Sequence, residues 1–226
     1  MISLRGKFIV FDGTEGSGKS TQAELLRARL ASIGPAAGGL PADDVMVIRD
    51  PGTTRIGEKV RNILLDPEND EMGMRCEMLL YMACRAQMLR EHIQPALNSG
   101  KLVLCDRFVS STLAYQLGGE ELTAKEIRQV ADVAIRGRWP DLTILLDMPA
   151  EESMRRVKPK ALSMFEDMPD LVDKDRIERR PMSYHEQVRA NYLAQAKADP
   201  ERYRVIDADR DRQSVHEDVW RVVMAL

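Results

Sequence analysis

Lys7-Phe8-Ile9-Val10-Phe11-Asp12-Gly13-Thr14-Glu15-Gly16-Ser17-Gly18-Lys19-Ser20-Thr21 decides the reading of this chain. A short apolar run leads into Gly13-x-x-x-x-Gly18-Lys19-Ser20, and a helical pattern follows from Ser20 to Ser32. Strand before and helix after turn a pattern match into a phosphate cradle. Gly13, Thr14, Glu15, Gly16, Ser17 and Gly18 let backbone N–H groups face an anion, and the helix adds its positive end. Lys19 can reach the outer phosphates, Ser20 can ligate Mg²⁺, and Thr21 completes the run. A glycine-rich turn without a ligand is the bland alternative. The fixed positions alone would recur by chance in roughly one chain of this length in a hundred.

Outward from the cradle, short apolar runs recur at Val45 to Ile48, Leu102 to Cys105, Leu142 to Leu146 and Tyr203 to Ile206. Between and after them, apolar residues at three- and four-residue spacing predict helices over Ile56 to Leu65, Arg75 to Asn98, Thr123 to Arg136, Tyr184 to Ala198 and Ser214 to Met224. Strands alternating with helices predict an α/β, three-layer fold: a five-stranded parallel sheet flanked by helices. Asn98-Ser99-Gly100 ends one helix, and Thr123 with Glu126 three residues on forms a capping box for the next. Residues 1–226 are expected to form one domain.

Composition narrows the function. The 226 residues carry a formal charge of -3, which argues against a nucleic-acid-coating protein. Three scattered cysteines make neither a disulfide framework nor a Cys-x-x-Cys zinc pair. No apolar run approaches the roughly 18 residues of a membrane span, and the start lacks signal-peptide character. A cytoplasmic protein with no membrane and no nucleic-acid partner is expected.

The cradle alone leaves GTPases, ATPases and small-molecule kinases open. No Asn-Lys-x-Asp guanine-reading motif is present. Arg49-Asp50-Pro51-Gly52-Thr53 follows the second strand and Asp106-Arg107-Phe108 the third, so charged residues converge on the carboxyl edge of the sheet. Taken alone, Asp106-Arg107 reads equally as a surface ion pair. Likewise Tyr81 reads as a core aromatic and Arg85 as a solvated helix charge.

Arg49-Asp50-Pro51-Gly52, Tyr81-x-x-x-Arg85, Asp106-Arg107-Phe108-x-Ser110-Ser111-x-x-Ala114-Tyr115-Gln116 and Asp175-Arg176-Ile177-Glu178 occur in this order. In that ordered set the chain resembles thymidylate kinases, P-loop enzymes of the nucleoside monophosphate kinase class, over nearly its whole length. The resemblance implies sheet order 2-3-1-4-5, transfer of the γ-phosphoryl of ATP to dTMP with Mg²⁺, and a homodimer. It implies that Tyr81 stacks on thymine, Arg85 reads the base, Tyr115 senses the sugar, and Ser111, Thr112 and Gln116 lie beside them. It also gives Arg107 and Arg49 the acceptor phosphate, and Glu15 the acceptor 3′-hydroxyl. Lys19, Arg107, Asp106 and Arg155 are the expected catalytic residues.

Ser20 and Asp106 are the expected metal ligands, while Asp147, with Pro149 behind it, reads equally as a helix cap. The segment 150–181 is expected to be a lid. Glu15 stands where some relatives carry a basic residue, so a lid arginine must serve the phosphates, Arg155 first and Arg156 second; Lys158 and Lys160 read as solvated charges. Adenine is expected over Arg136 to Trp139 and the Asp207 to Asp211 loop. Two rivals stay open: a kinase for another monophosphate or a deoxynucleoside, and a nucleotide-binding regulatory module without turnover.

Overall fold

In a computed structural model, residues 4–34, 37–157 and 175–226 are described. Five parallel strands, β1 (Phe8–Asp12), β2 (Val45–Arg49), β3 (Leu102–Asp106), β4 (Leu142–Asp147) and β5 (Tyr203–Asp207), form one sheet in the order β2-β3-β1-β4-β5. Each observed strand runs one residue past the end of its apolar run. The extra residue is the charged one that reaches the carboxyl edge: Asp12, Arg49, Asp106, Asp147 and Asp207.

Side chains alternate across β1. Ile9 and Phe11 join a core with Leu26 and Leu30 of α1 (Lys19–Ile33) and Val219 of α9 (Arg212–Val223). Phe8 and Val10 face the opposite layer, with Met78 and Met82 of α3 (Met74–Met88) and Ile127 of α6 (Ala124–Ile135). Every residue of β1 is buried, as expected for a central parallel strand covered on both faces.

The remaining helices are α2 (Arg55–Leu65), α4 (Gln94–Asn98), α5 (Val109–Tyr115), α7 (Ala150–Arg156) and α8 (Met182–Ala198). The helix expected over Arg75 to Asn98 is continuous but not uniform: a π turn at Leu89–Ile93 separates α3 from α4. Pro95 has no N–H to give the carbonyl four residues back, and the wider turn absorbs that loss. The Thr123–Glu126 capping box is formed as expected.

Register aligns the chemistry. Phe11 and Arg49 both pair with Asp106, Arg107 N–H donates to Phe11 O at 2.9 Å, and Asp50 N–H donates to Asp106 O at 2.8 Å. Residues from three distant parts of the sequence are thereby set side by side at the carboxyl edge, where the cradle opens.

Candidate active site

The loop from Gly13 to Gly18 takes a path open mainly to glycine. Gly13 has φ +140°, and a Cβ there would lie 2.4 Å from Leu146 O. Gly16 has φ +72°, and its Cβ would meet Ser153 O at 2.5 Å. The close approach at Gly16 lets α7 seat on the loop, where the Ser153 hydroxyl donates to Glu15 O.

Lys19 opens α1 and folds back, its Nζ donating to Thr14 O at 2.7 Å. Burial and then Arg107 pull its ammonium below the ordinary lysine value, against Asp106, Glu15 and Asp12. Phosphate oxygens arriving here would push it back up. Thr14 and Ser17 are buried in the loop, whereas Ser20 and Thr21 are exposed on the first turn of α1. The Ser20 hydroxyl donates to Asp106.

Arg107 is the hub. Its backbone is left-handed, φ +71°, an uncommon state for a residue with a Cβ. Nη1 donates to Gly13 O at 3.0 Å, Ser111 Oγ at 3.1 Å and Tyr192 OH at 3.1 Å; Nη2 donates to Tyr115 OH at 3.2 Å and to Glu15. Burial opposes its charge, but Glu15 above all holds the guanidinium well above the usual range. For Glu15, burial pushes the carboxyl up, yet Arg107, Lys19 and the Tyr115 hydroxyl, which donates to Glu15 at 2.9 Å, together bring it below the usual value. The carboxylate in the cradle thus faces cations.

A cavity of about 290 Å³ opens beside this hub. All nine residues expected at the acceptor line it: Glu15, Arg49, Tyr81, Arg85, Arg107, Ser111, Thr112, Tyr115 and Gln116. Gly16, Lys19, Ser20 and Asp106 line it too, so the cradle and the residues expected at the acceptor share one space. Arg85 is buried rather than solvated; its Nε donates to Asp50 at 2.6 Å, its Nη1 to Thr112 Oγ1 at 2.7 Å, and it lies over the Tyr81 ring at 5.6 Å. Asp106 and Arg107 do not pair with each other as a surface bridge; each is taken by a residue of the cradle segment. Arg49 is exposed and paired with Glu58.

Three expectations are revised. Arg155 lies outside the cavity lining, its side chain 76% exposed and bound to Glu152. Arg156 is nearer the cradle, since a Cβ on Gly16 would come within 3.1 Å of Arg156 Cβ, but its Nε too is held by Glu152, at 2.9 Å. It also donates to Ala208 O and pairs with Asp209, which brings the Asp207 to Asp211 loop to the cradle. By contrast, Arg136 to Trp139 precede β4, and Asp141 accepts from the first residue of β1. That is the amino edge of the sheet, opposite the cradle, so adenine cannot lie over both segments. Asp147 does not cap α7: it forms a two-point ion pair with Arg189, both contacts 2.8 Å. Lys158, Lys160 and the acids from Glu166 to Asp173 lie outside the described residues.

Sequence reasoning missed Asp12, Tyr192, Glu77 and Arg61, the last a residue of the cavity lining whose Nη1 donates to Pro51 O at 3.0 Å. Asp12 is fully buried and accepts from Ser110, from Ser111 Oγ at 2.7 Å and from Tyr192 OH at 2.5 Å. An acid closing an apolar strand just before the cradle was a usable signal. Tyr192, deep in a helix far along the chain, offered none.

The thymidylate kinase family model matches residues 11–219. The chain belongs to the thymidylate kinase family. It is 42% identical over 220 residues to a thymidylate kinase of Halothermothrix orenii, covering 97% of each chain. To one of Pelotomaculum thermopropionicum it is 44% identical over 218 residues, covering 96% of this chain and 93% of that one. The crystal structure of thymidylate kinase from Ehrlichia chaffeensis superposes with a TM-score of 0.73 at 29% identity, over 97% of this chain and 99% of that chain. Membership in this family makes the chain an ATP:dTMP phosphotransferase.

The Glu15 network has a measurable pH signature. Because its carboxyl is depressed in the folded state, its stabilising share is full above the ordinary glutamate value of 4.5 and is lost as pH falls through the folded value. Urea denaturation of wild type and Glu15→Gln across pH 3 to 7 should show the wild type more stable near neutrality, with the gap closing below about pH 4.5. A gap independent of pH would contradict the pairing.

Proposed function

We propose that the cavity carries out the family's transfer with the following division of labour. Loop N–H groups, the positive end of α1 and Lys19 hold the donor phosphates. Arg107 and Arg49 hold the acceptor phosphate. Tyr81 and Arg85 take the base, and Tyr115 with Glu15 takes the sugar. An oxygen of the dTMP phosphate attacks the γ-phosphorus of ATP, the bond to the β–γ bridging oxygen breaks, and ADP leaves with that electron pair. Positioning and charge stabilisation suffice, so no covalent enzyme intermediate is needed. The observation that carries this reading is that Lys19, at the start of α1, and Arg107, just after β3, line one cavity with Tyr81, Arg85 and Gln116.

Ser20 and Asp106 supply two hard oxygen donors side by side, a set that suits Mg²⁺ shared with phosphates and water. When bound there, Mg²⁺ would supply neutralisation of phosphate charge. Residues 150–181 act as the lid of a single domain spanning 1–226. Of the two lid arginines, Arg156 is the better placed, because its stem lies against Gly16; both must leave Glu152 to reach the phosphates, and Arg156 must leave Asp209 as well.

A homodimer is part of the same reading. Helices α2, α3 and α6 pack side by side and leave Ile56, Ile63, Leu79 and Val133 exposed, Val133 at 82%. A second copy would cover this apolar strip. A cytoplasmic location is supported by three free thiols and by the finding that no helix of the described residues is long and apolar enough to cross a membrane.

A coupled assay with ATP, Mg²⁺ and a panel of nucleosides and monophosphates tests the reading. Wild type should prefer dTMP, and Lys19→Ala should lose nearly all turnover while keeping its circular dichroism spectrum and dTMP affinity. Retention of more than about a tenth of wild-type turnover would remove Lys19 from the mechanism. For the dimer, sedimentation should show two chains for wild type and one for Val133→Glu; a monomeric wild type would refute it.

A further inference from the structure

Glu77 lies on α3, one turn before Tyr81, fully buried, and the reaction outlined above does not use it. Its Oε2 accepts from Arg176 Nη2 and from Arg180 Nη2, the latter at 2.6 Å. Its Oε1 accepts from Gln116 Nε2 at 2.6 Å. A carboxylate gripped by two guanidinium groups has only acceptor atoms to offer a third neighbour. Gln116 must therefore meet it with the NH₂ end of its amide. Turned over, the amide would set its oxygen against a carboxylate oxygen in a buried site.

With the NH₂ end fixed, Oε1 is the end left for the cavity that Gln116 lines. Arg85 lines the same cavity, and with its Nε and Nη1 given to Asp50 and Thr112, Nη2 is the donor left for a ligand. One donor and one acceptor complement the imide edge of thymine or uracil, where C4=O accepts and N3–H donates. Cytosine reverses both: its exocyclic amine would face Arg85, and its N3 lone pair would face Gln116 Oε1.

We propose that Glu77, clamped by Arg176 and Arg180, is a positioning residue that fixes the Gln116 amide and so sets the preference for a pyrimidine carrying a proton on N3. This rests on the base-site reading given above. It also draws the segment after residue 174 into base selection. Arg176 donates to Leu64 O at 3.0 Å, Arg180 bonds Tyr184, and Tyr184 OH donates to Tyr115 O at 2.7 Å. The clamp thus ties α2, α3, α5 and α8 together around one amide. If Glu77 merely pinned that segment, its loss would weaken every pyrimidine nucleotide alike.

The test is kcat/KM for dTMP, dUMP and dCMP with the full-length enzyme. In Glu77→Gln the guanidinium groups hold the new amide's oxygen and turn its NH₂ toward Gln116, which favours the turned-over Gln116 amide, so the lock is lost. The preference for dTMP over dCMP should fall about 10-fold or more, the worth of one mispaired buried group, while the dTMP to dUMP ratio stays unchanged. Glu77→Gln leaves two guanidinium groups facing an uncharged side chain and is at risk of misfolding. Glu77→Gln with Arg180→Met keeps the cluster's net charge and should show the same selective loss. Parallel losses on all three substrates in these variants would overturn the proposal. Gln116→Met separates the two failures. A wild-type dTMP to dCMP ratio in that variant would show that Gln116 does not read N3, so the base-site reading and the Glu77 proposal fall together. A collapsed ratio there, with an intact ratio in the Glu77 variants, would remove Glu77 alone.

Discussion

The ion pair between Arg107 and Glu15 joins the two halves of this site, and much of the surrounding structure exists to make it tolerable. Taking a guanidinium out of water is costly unless its donors are met, and here Gly13 O, Ser111, Tyr192, Tyr115 and Glu15 meet them. Those partners come from the cradle, α5 and α8, so the pair requires all three to dock on β1 and β3. The left-handed backbone at Arg107 costs on the order of 1 kcal/mol or more and is held by the same contacts. Asp12 anchors the underside, tying Ser110, Ser111 and Tyr192 to the end of β1.

The pair also explains how an acid sits in a phosphate cradle. Glu15 compensates Arg107 and Lys19 before substrates arrive, which lets two cations share a small space. Anionic phosphates entering the cradle would take over part of that role. An arginine already oriented by several contacts loses little freedom on binding, which is the physical basis of preorganisation.

Much of the frame was legible in the sequence because it is local. The five apolar runs gave strands correct to about one residue, and the Thr123–Glu126 pattern gave a cap that forms as read. The order of strands came from resemblance, since periodicity carries no information about which strands are neighbours. α5 escaped periodicity for a plain reason: all of Val109–Tyr115 is buried, so no polar face marks the helical repeat. The contacts of Tyr192 with Arg107 and of Glu77 with Arg176 span 85 and 99 positions, and no spacing rule reaches that far. Adenine was misplaced at Arg136 to Trp139 because a turn before a strand and a turn after one look alike in composition but lie at opposite edges of a parallel sheet.

The most direct measurement is calorimetric binding of dTMP and of thymidine, which lacks the phosphate, to wild type and to Arg107→Met. If Arg107 is the acceptor-phosphate residue, wild type binds dTMP far more tightly than thymidine. Arg107→Met should then narrow that gap mainly by weakening dTMP, with thymidine affinity little changed. An undiminished preference for dTMP in Arg107→Met, or an equal loss for both ligands, would show that Arg107 only braces the cradle and that the acceptor phosphate is held elsewhere.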